Sequence, residues 1–274
     1  IFHLLSLVLR TYWTRFRYGA SVLYYPPAGP EKVPVVRDLF FLLSVRWLFP
    51  EIVFHFHAGG VSDYLPKLCW PLRSLARLAY RKPTAAILIS DRNPPDGERF
   101  RARKNFVIPY GIPDRISEFP RKEPESREVP VLLTAGALKK SKGILVLLEA
   151  CAKLHREGVA FRLRLMGEFD SPAFESECKS LLKKEKIARH VEWLGVLQDE
   201  PKWRAFAEAD IFCFPTFFES ETFGIVNLEA MQFSLPVVAT RWRGIPSVIH
   251  DGENGILVPP RDPDAFAIAL KRLI

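Results

Sequence analysis

From residue 129 onward, short apolar runs alternate with longer segments whose apolar residues recur at helical spacing. VPVLLTAG (Val129–Gly136) is an apolar run that closes on glycine, the pattern of a strand buried on both faces of a parallel sheet. Gly143–Glu157 then carries apolar residues three and four apart. FRLRLMG (Phe161–Gly167), VEWLG (Val191–Gly195), IFCFP (Ile211–Pro215), PVVAT and NGILVPP read as further strands. Between and after them, Ala173–Lys186, Lys202–Ala209, Ile225–Phe233 and a segment from Asp262 read as helices. Such alternation predicts a doubly wound parallel sheet, with ligands bound beyond the carboxyl ends of the strands.

The first half has a weaker pattern. EIVFHFHAGG (Glu51–Gly60) reads as a strand running into a glycine loop, and AAILIS (Ala85–Ser90) and NFVIPYG (Asn105–Gly111) as two more. Leu65–Arg81 reads as one basic amphipathic helix. A stretch rich in Pro, Glu, Arg and Ser, Pro113–Pro130, reads as a linker. The division that follows is a first Rossmann-like domain over 1–118, a linker over 119–128 and a second Rossmann-like domain over 129–274.

With 274 residues, 48% of them hydrophobic, the chain suffices for two cored domains. It contains no run of eighteen apolar residues, so no transmembrane helix is expected. The opening IFHLLSLVL is followed by arginines rather than a cleavage site, a poor signal peptide. Four scattered cysteines suggest packed, reduced thiols and a cytoplasmic setting. Charge is uneven: residues 1–128 hold 20 Lys+Arg against 12 Asp+Glu (+8), and residues 129–274 hold 19 against 19 (0). The basic half fits simple solvated surface, contact with an acidic polysaccharide, or peripheral contact with an anionic membrane at its inner face. No nucleic-acid motif accompanies it.

The chemistry concentrates in PTFFESETFGIVNLEAMQF (Pro215–Phe233). An apolar strand feeds a polar loop with Glu221, and a helix then begins at Phe223-Gly224 and carries Glu229. Unpaired N–H groups at a helix start favour an anion. Carboxylates on either side of an anion can hold hydroxyl groups, the pattern a nucleotide sugar presents. Here the chain resembles the retaining glycosyltransferases of family 4. Their Glu-x7-Glu motif is matched by Glu221–Glu229, and the similarity continues through Glu-Ala-Met and LPVVAT. VIPYGIP is similar to the family's IPNG segment, with Tyr110 where Asn is usual.

The resemblance implies a GT-B fold: two Rossmann-like doubly wound domains facing across a cleft. It implies a hexosyltransferase that moves a sugar from a UDP- or GDP-linked donor to a glycan, lipid-linked or other glycoconjugate acceptor, as in polysaccharide biosynthesis. Glu221 would hold sugar hydroxyls, with Thr222 and the Phe223 and Gly224 backbone alongside, and Glu229 would take the ribose. In GALKKSKGI (Gly136–Ile144), Lys142-Gly143 matches the family's Lys-Gly, so Lys142 would stabilise the departing diphosphate beside Gly136. The family's arginine is replaced by Ala137, leaving Lys139, Lys140, Arg241 or Arg243 to supply charge. His57 would face the donor sugar from the first domain, and His55 should share its face of the strand. Neither a cofactor nor a metal is implied, and no Asp-x-Asp occurs.

Nothing before Glu51 shows the strand and glycine-rich loop with which the family opens, and Ile274 precedes its last crossing helix, so the first domain is expected to be truncated. Two alternatives stay open: a catalytically impaired donor-binding remnant, and a GT-B nucleotide-sugar epimerase. A Rossmann oxidoreductase would need G-x-G-x-x-G after its first strand, and that run is absent.

Overall fold

The computed structural model describes residues 2–120 and 129–274. They form two compact units. One runs to Tyr110 and includes Glu219–Thr222; the other comprises Gly111–Phe218 and Phe223–Ile274. The units part after Tyr110, whereas the sequence pattern put the first domain's end at 118. Of the expected linker, 121–128 lies outside the described residues.

The first unit opens with helix α1 (Phe2–Tyr18), strand β1 (Val22–Tyr25) and helix α2 (Lys32–Val45). These correct the expectation that no strand precedes Glu51. Then follow β2 (Glu51–Phe56), α3 (Val61–Tyr64), α4 (Trp70–Tyr80), β3 (Ala85–Leu88), α5 (Asp96–Arg99) and β4 (Lys104–Val107). The four strands pair in parallel in the order β1-β2-β3-β4. Period-two alternation in IVFHFH sends Ile52, Phe54 and Phe56 into the core with Tyr80, Leu42 and Val35. It leaves His55 and His57 on the opposite side.

The single helix expected over Leu65–Arg81 is broken. Leu65–Lys67 is a 3₁₀ turn, Leu68 is extended (φ −77°, ψ 150°), and α4 starts with Trp70-Pro71. Proline has no N–H and is tolerated in a helix's first turn but not its middle, so Pro71 fixes where α4 begins.

The second unit contains β5 (Val131–Ala135), α6 (Ile144–Arg156), β6 (Arg162–Met166), α7 (Pro172–Lys184) and β7 (Val191–Gly195). It continues with α8 (Asp199–Ala207), β8 (Ile211–Phe214), α9 (Ile225–Met231), β9 (Val237–Thr240), β10 (Gly255–Val258) and α10 (Pro263–Leu273). All six strands are parallel, in the order β10-β9-β8-β5-β6-β7. From β5 the chain winds outward through β6 and β7, then returns to β5's other side as β8. That reversal between β5 and β8 is the switch point at which such a sheet opens a ligand crevice.

The core forms because α6 buries Ile144, Leu147, Leu148, Cys151 and Leu154 along one stripe, against Leu132, Leu163 and Leu165 of the sheet and Phe266 and Leu270 of α10. Each fully buried leucine contributes about 1.5–3 kcal/mol. All four cysteines are free; three are buried and Cys69 is exposed, so the packed-thiol expectation holds for three. Burial pushes the Cys178 thiol up to about 12, helped by Glu177 and Asp170. Among the described residues no helix is long and apolar enough to cross a membrane.

Candidate functional site

At the carboxyl end of β5, three glycines fix the backbone. Gly136 has φ +131°, and a Cβ there would meet nothing within 4 Å, so its outer face is open. Gly167, after β6, comes so close to Gly136 that an added Cβ would lie 1.9 Å from the Gly136 carbonyl oxygen. The Gly136 N–H donates to the Met166 carbonyl at 2.9 Å and the Leu138 N–H to that of Glu168 at 2.8 Å, tying the two strand ends together. Gly143 has φ +75°, and a Cβ there would lie 2.0 Å from the Pro215 carbonyl oxygen. Only glycine lets the Lys140–Lys142 turn sit this near the end of β8. The Phe217 N–H then donates to the Ser141 carbonyl at 2.8 Å, joining the lysine turn to the loop after β8.

This packing brings two of the expected cations together. Lys139 Nζ lies 3.7 Å from the centre of the Phe218 ring, and Lys142 Nζ lies 4.9 Å from the same ring and 5.8 Å from that of Phe214. The Phe218 backbone is itself anchored, its carbonyl accepting from Trp242 Nε1 at 2.8 Å and its N–H donating to Thr216 Oγ1 at 3.2 Å. An aromatic face attracts an ammonium by about 0.5–2 kcal/mol, so one ring positions two like charges that otherwise repel. Of the other stand-ins for an arginine at 137, Lys140 faces Glu177 at 3.3 Å and Arg241 pairs with Asp251 at 2.7 Å, while Arg243 packs on Trp242, whose Nε1 reaches the Phe218 carbonyl. Lys139 is the cation that shares the Phe218 ring with Lys142.

Glu229 lies in the second turn of α9, its Oε1 2.7 Å from Lys202 Nζ of α8. Lys202 also sits 4.4 Å from the Trp203 ring centre. Sequence inspection did not single out Lys202, which stands 27 residues before its partner. Phe218 was missed too, because a loop phenylalanine reads as core.

Helix α9 departs from simple amphipathy in its first turn. Ile225 is 39% exposed while Asn227 is fully buried, with its Nδ2 donating to the Phe223 carbonyl at 3.3 Å. Asn227 Oδ1 is buried without a hydrogen-bond partner. Gly224 holds φ +68°, and a Cβ there would sit 2.5 Å from Phe214 Cε1. Gly224 is thus required by packing whatever it binds. The Phe223 side chain is buried.

Glu221 and Thr222, both buried, belong to the stretch that groups with the first unit. His57 is there as well, exposed just past β2, with Nδ1 2.5 Å from the Tyr110 hydroxyl and its ring stacked on that of Tyr110. His55 and His57 share a strand face, as expected, with ring centres 4.0 Å apart. His55 Nδ1 is hydrogen-bonded to the Tyr24 hydroxyl. Burial, and secondarily the neighbouring His57, lower the His55 pKa below the ordinary imidazole range. Two buried aspartates set the loops beyond β1 and β2. Asp38 accepts from the Ala28 N–H (2.6 Å), Tyr25 (2.7 Å) and Tyr80 (2.9 Å), and Asp96 from the Gly60 (2.7 Å) and Ser62 (2.8 Å) N–H groups.

Comparison with known proteins bears on the family and the fold. The family model described as Glycosyl transferases group 1 matches residues 129–274. A phosphatidyl-myo-inositol mannosyltransferase of Mycobacterium leprae is 33% identical over 169 residues, 61% of this chain and 43% of that protein. A D-inositol 3-phosphate glycosyltransferase of Corynebacterium jeikeium is 34% identical over 188 residues, 67% of this chain and 41% of its own length. The chain matches only about two fifths of the length of these curated relatives. Among solved structures, Anabaena HepE in complex with UDP superposes with a TM-score of 0.73 at 21% identity, covering 97% of this chain and 72% of its own. The fold class is that of the GT-B glycosyltransferases.

Proposed function

The chain belongs to the group 1 glycosyl transferases, and on that premise we propose that it transfers a sugar from a nucleotide-sugar donor, with retention at the anomeric carbon, to a glycan or lipid-linked acceptor. One observation carries the reading: Lys139 and Lys142 meet over Phe218 where the sheet order reverses. An open glycine backbone at Gly136 lies at the end of the same strand. Two ammonium groups beside an unobstructed main chain suit a diphosphate, and two charges suit the negative charge that builds up as the diphosphate leaves.

In this reading Lys142 and Lys139 stabilise the leaving group, and the N–H groups about Thr222, Phe223 and Gly224 supplement them. Glu229, steadied by Lys202, accepts from the ribose hydroxyls. The Glu-x7-Glu motif assigns Glu221 to sugar hydroxyls, and the family resemblance alone assigns His57 to the sugar. No residue is assigned as a nucleophile, and no step requires a metal or cofactor. Relatives named as a mannosyltransferase and an inositol-phosphate glycosyltransferase, and a neighbour solved with UDP, support the substrate class.

Ala137 favours a second reading, a donor-binding remnant without turnover, but Lys139 supplies the missing charge from two residues away. Incubation with UDP- and GDP-sugars, followed by NMR of the released or transferred sugar, separates the two. Nucleotide diphosphate release with an unchanged anomeric configuration supports the transferase. Binding without release supports the remnant, and inversion overturns the retaining assignment.

A further inference from the structure

Arg73 and Arg77 stand four apart on α4, and Arg81, four residues further on, is the residue that caps its C-terminus. Like charges at that spacing destabilise a helix by about 0.2–0.5 kcal/mol per pair. Cations near a helix C-terminus usually serve its last carbonyls. Those carbonyls are already occupied here: the buried Arg46 donates to Leu78 and Arg81 at 2.7 Å and also to Ala79. The three arginine side chains therefore have no structural use at the helix end.

Two neighbouring turns add more cations. Lys82, just past α4, and Arg101, just past α5, both hold left-handed backbone, with φ 47° and 59°. Their N–H groups donate to Phe100 at 2.6 Å and Glu98 at 2.8 Å. Such a conformation costs an L-residue about 1–2 kcal/mol and is normally left to glycine. Both strained positions carry a cation instead. With Arg99, six basic side chains surround a cavity of about 550 Å³, and no acidic residue lines it. Arg99 is ion-paired to Asp63, and Arg73 donates to the Pro66 and Leu68 carbonyls while its Nε is buried without a partner. Among the described residues no carboxylate pairs with Arg77, Arg81, Lys82 or Arg101.

We propose that this cavity in the first unit binds an anion bearing two or more phosphoryl charges, a diphosphate or a phosphomonoester headgroup. Five of the six cations are arginine, whose planar fork matches phosphate oxygens two at a time, where lysine offers only a point charge. Six positive charges with one internal partner call for a polyvalent ligand, and their exposure makes the binding salt-sensitive. The site shares no residue with the donor site and does not depend on it.

The test uses the whole chain in a Lys139→Met/Lys142→Met background, which takes away both cations proposed to hold a diphosphate at the donor site. Inorganic pyrophosphate is titrated calorimetrically at low salt, and phosphatidylcholine vesicles with and without phosphatidic acid are co-sedimented with the protein. Saturable pyrophosphate binding that Arg77→Ser/Arg81→Ser weakens at least tenfold identifies a soluble ligand. Recruitment only to phosphatidic acid vesicles, weakened by the same change, identifies a lipid headgroup. Arg101→Gly suits the left-handed backbone and keeps the fold, so it repeats the test if the double variant does not fold. The proposal is overturned if the parent binds neither probe, or if the variants bind as well as the parent.

Discussion

Lys202 Nζ lies 2.7 Å from Glu229 Oε1, a pair formed between α8 and α9 with the two side chains 25% and 13% exposed. The pairing holds Glu229 in place and leaves its second oxygen to accept from a ligand. A partly buried pair of this kind contributes about 1 kcal/mol. Lys202→Ala is therefore expected to weaken UDP binding about fivefold. Lys202→Arg should restore most of it, and Glu229→Ala should lose more than either. Calorimetric titration of the three variants checks the order.

Lys139 and Lys142 share the Phe218 ring, so they should act together. Removing one donor aimed at developing charge costs about 10²–10³ in turnover, and Lys142→Met is expected to fall in that range. The double change with Lys139→Met should cost less than the sum of the two, because each already depends on the same ring. Phe218→Leu should weaken donor binding about two- to fivefold by loosening both ammonium groups. Steady-state kinetics on the parent, Lys139→Met, Lys142→Met, the double variant and Phe218→Leu tests this.

Gly224→Ala combines a left-handed backbone with a Cβ 2.5 Å from the Phe214 ring. Overpacking typically costs about 1–3 kcal/mol, with backbone strain added. A lowered unfolding temperature is expected, together with weaker UDP binding because Phe214 lies beside Lys142. An unchanged melting profile would contradict the packing.

His55 should make the first unit acid-sensitive. Its folded pKa is lowered, by burial first and His57 second, so the unfolded chain binds its proton more readily. Stability from this group is complete above the ordinary imidazole range and declines as pH falls through it, until folded His55 is protonated too. His190, also lowered by burial, adds a similar slope in the second unit. Denaturant titrations at neutral and mildly acidic pH should show a smaller acid loss for His55→Asn than for the parent.

The second unit was legible in the sequence because its strands announce their ends. Gly136, Gly167 and Gly195 close β5, β6 and β7 and all have positive φ. The first unit was not, for reasons visible in its residues. Helix α1 carries Phe2, Leu9, Trp13 and Phe16 on an exposed side, so it lacks the polar face by which a surface helix is recognised. Strand β1 is only four residues long. In the site, the sequence motif picked out Lys142 and Glu229, but the partners that position them are remote: Phe218 through a loop and Lys202 through another helix. Such pairings follow from the winding of the sheet and leave no local pattern.

In the proposed function the loops after β5 and β8 bind a nucleotide diphosphate. Calorimetric titration of the chain with UDP and with GDP tests it most directly. The expected result is saturable one-to-one binding of one of them that Lys142→Met and Glu229→Ala each weaken tenfold or more. No binding of either nucleotide, or binding that both substitutions leave unchanged, would contradict it.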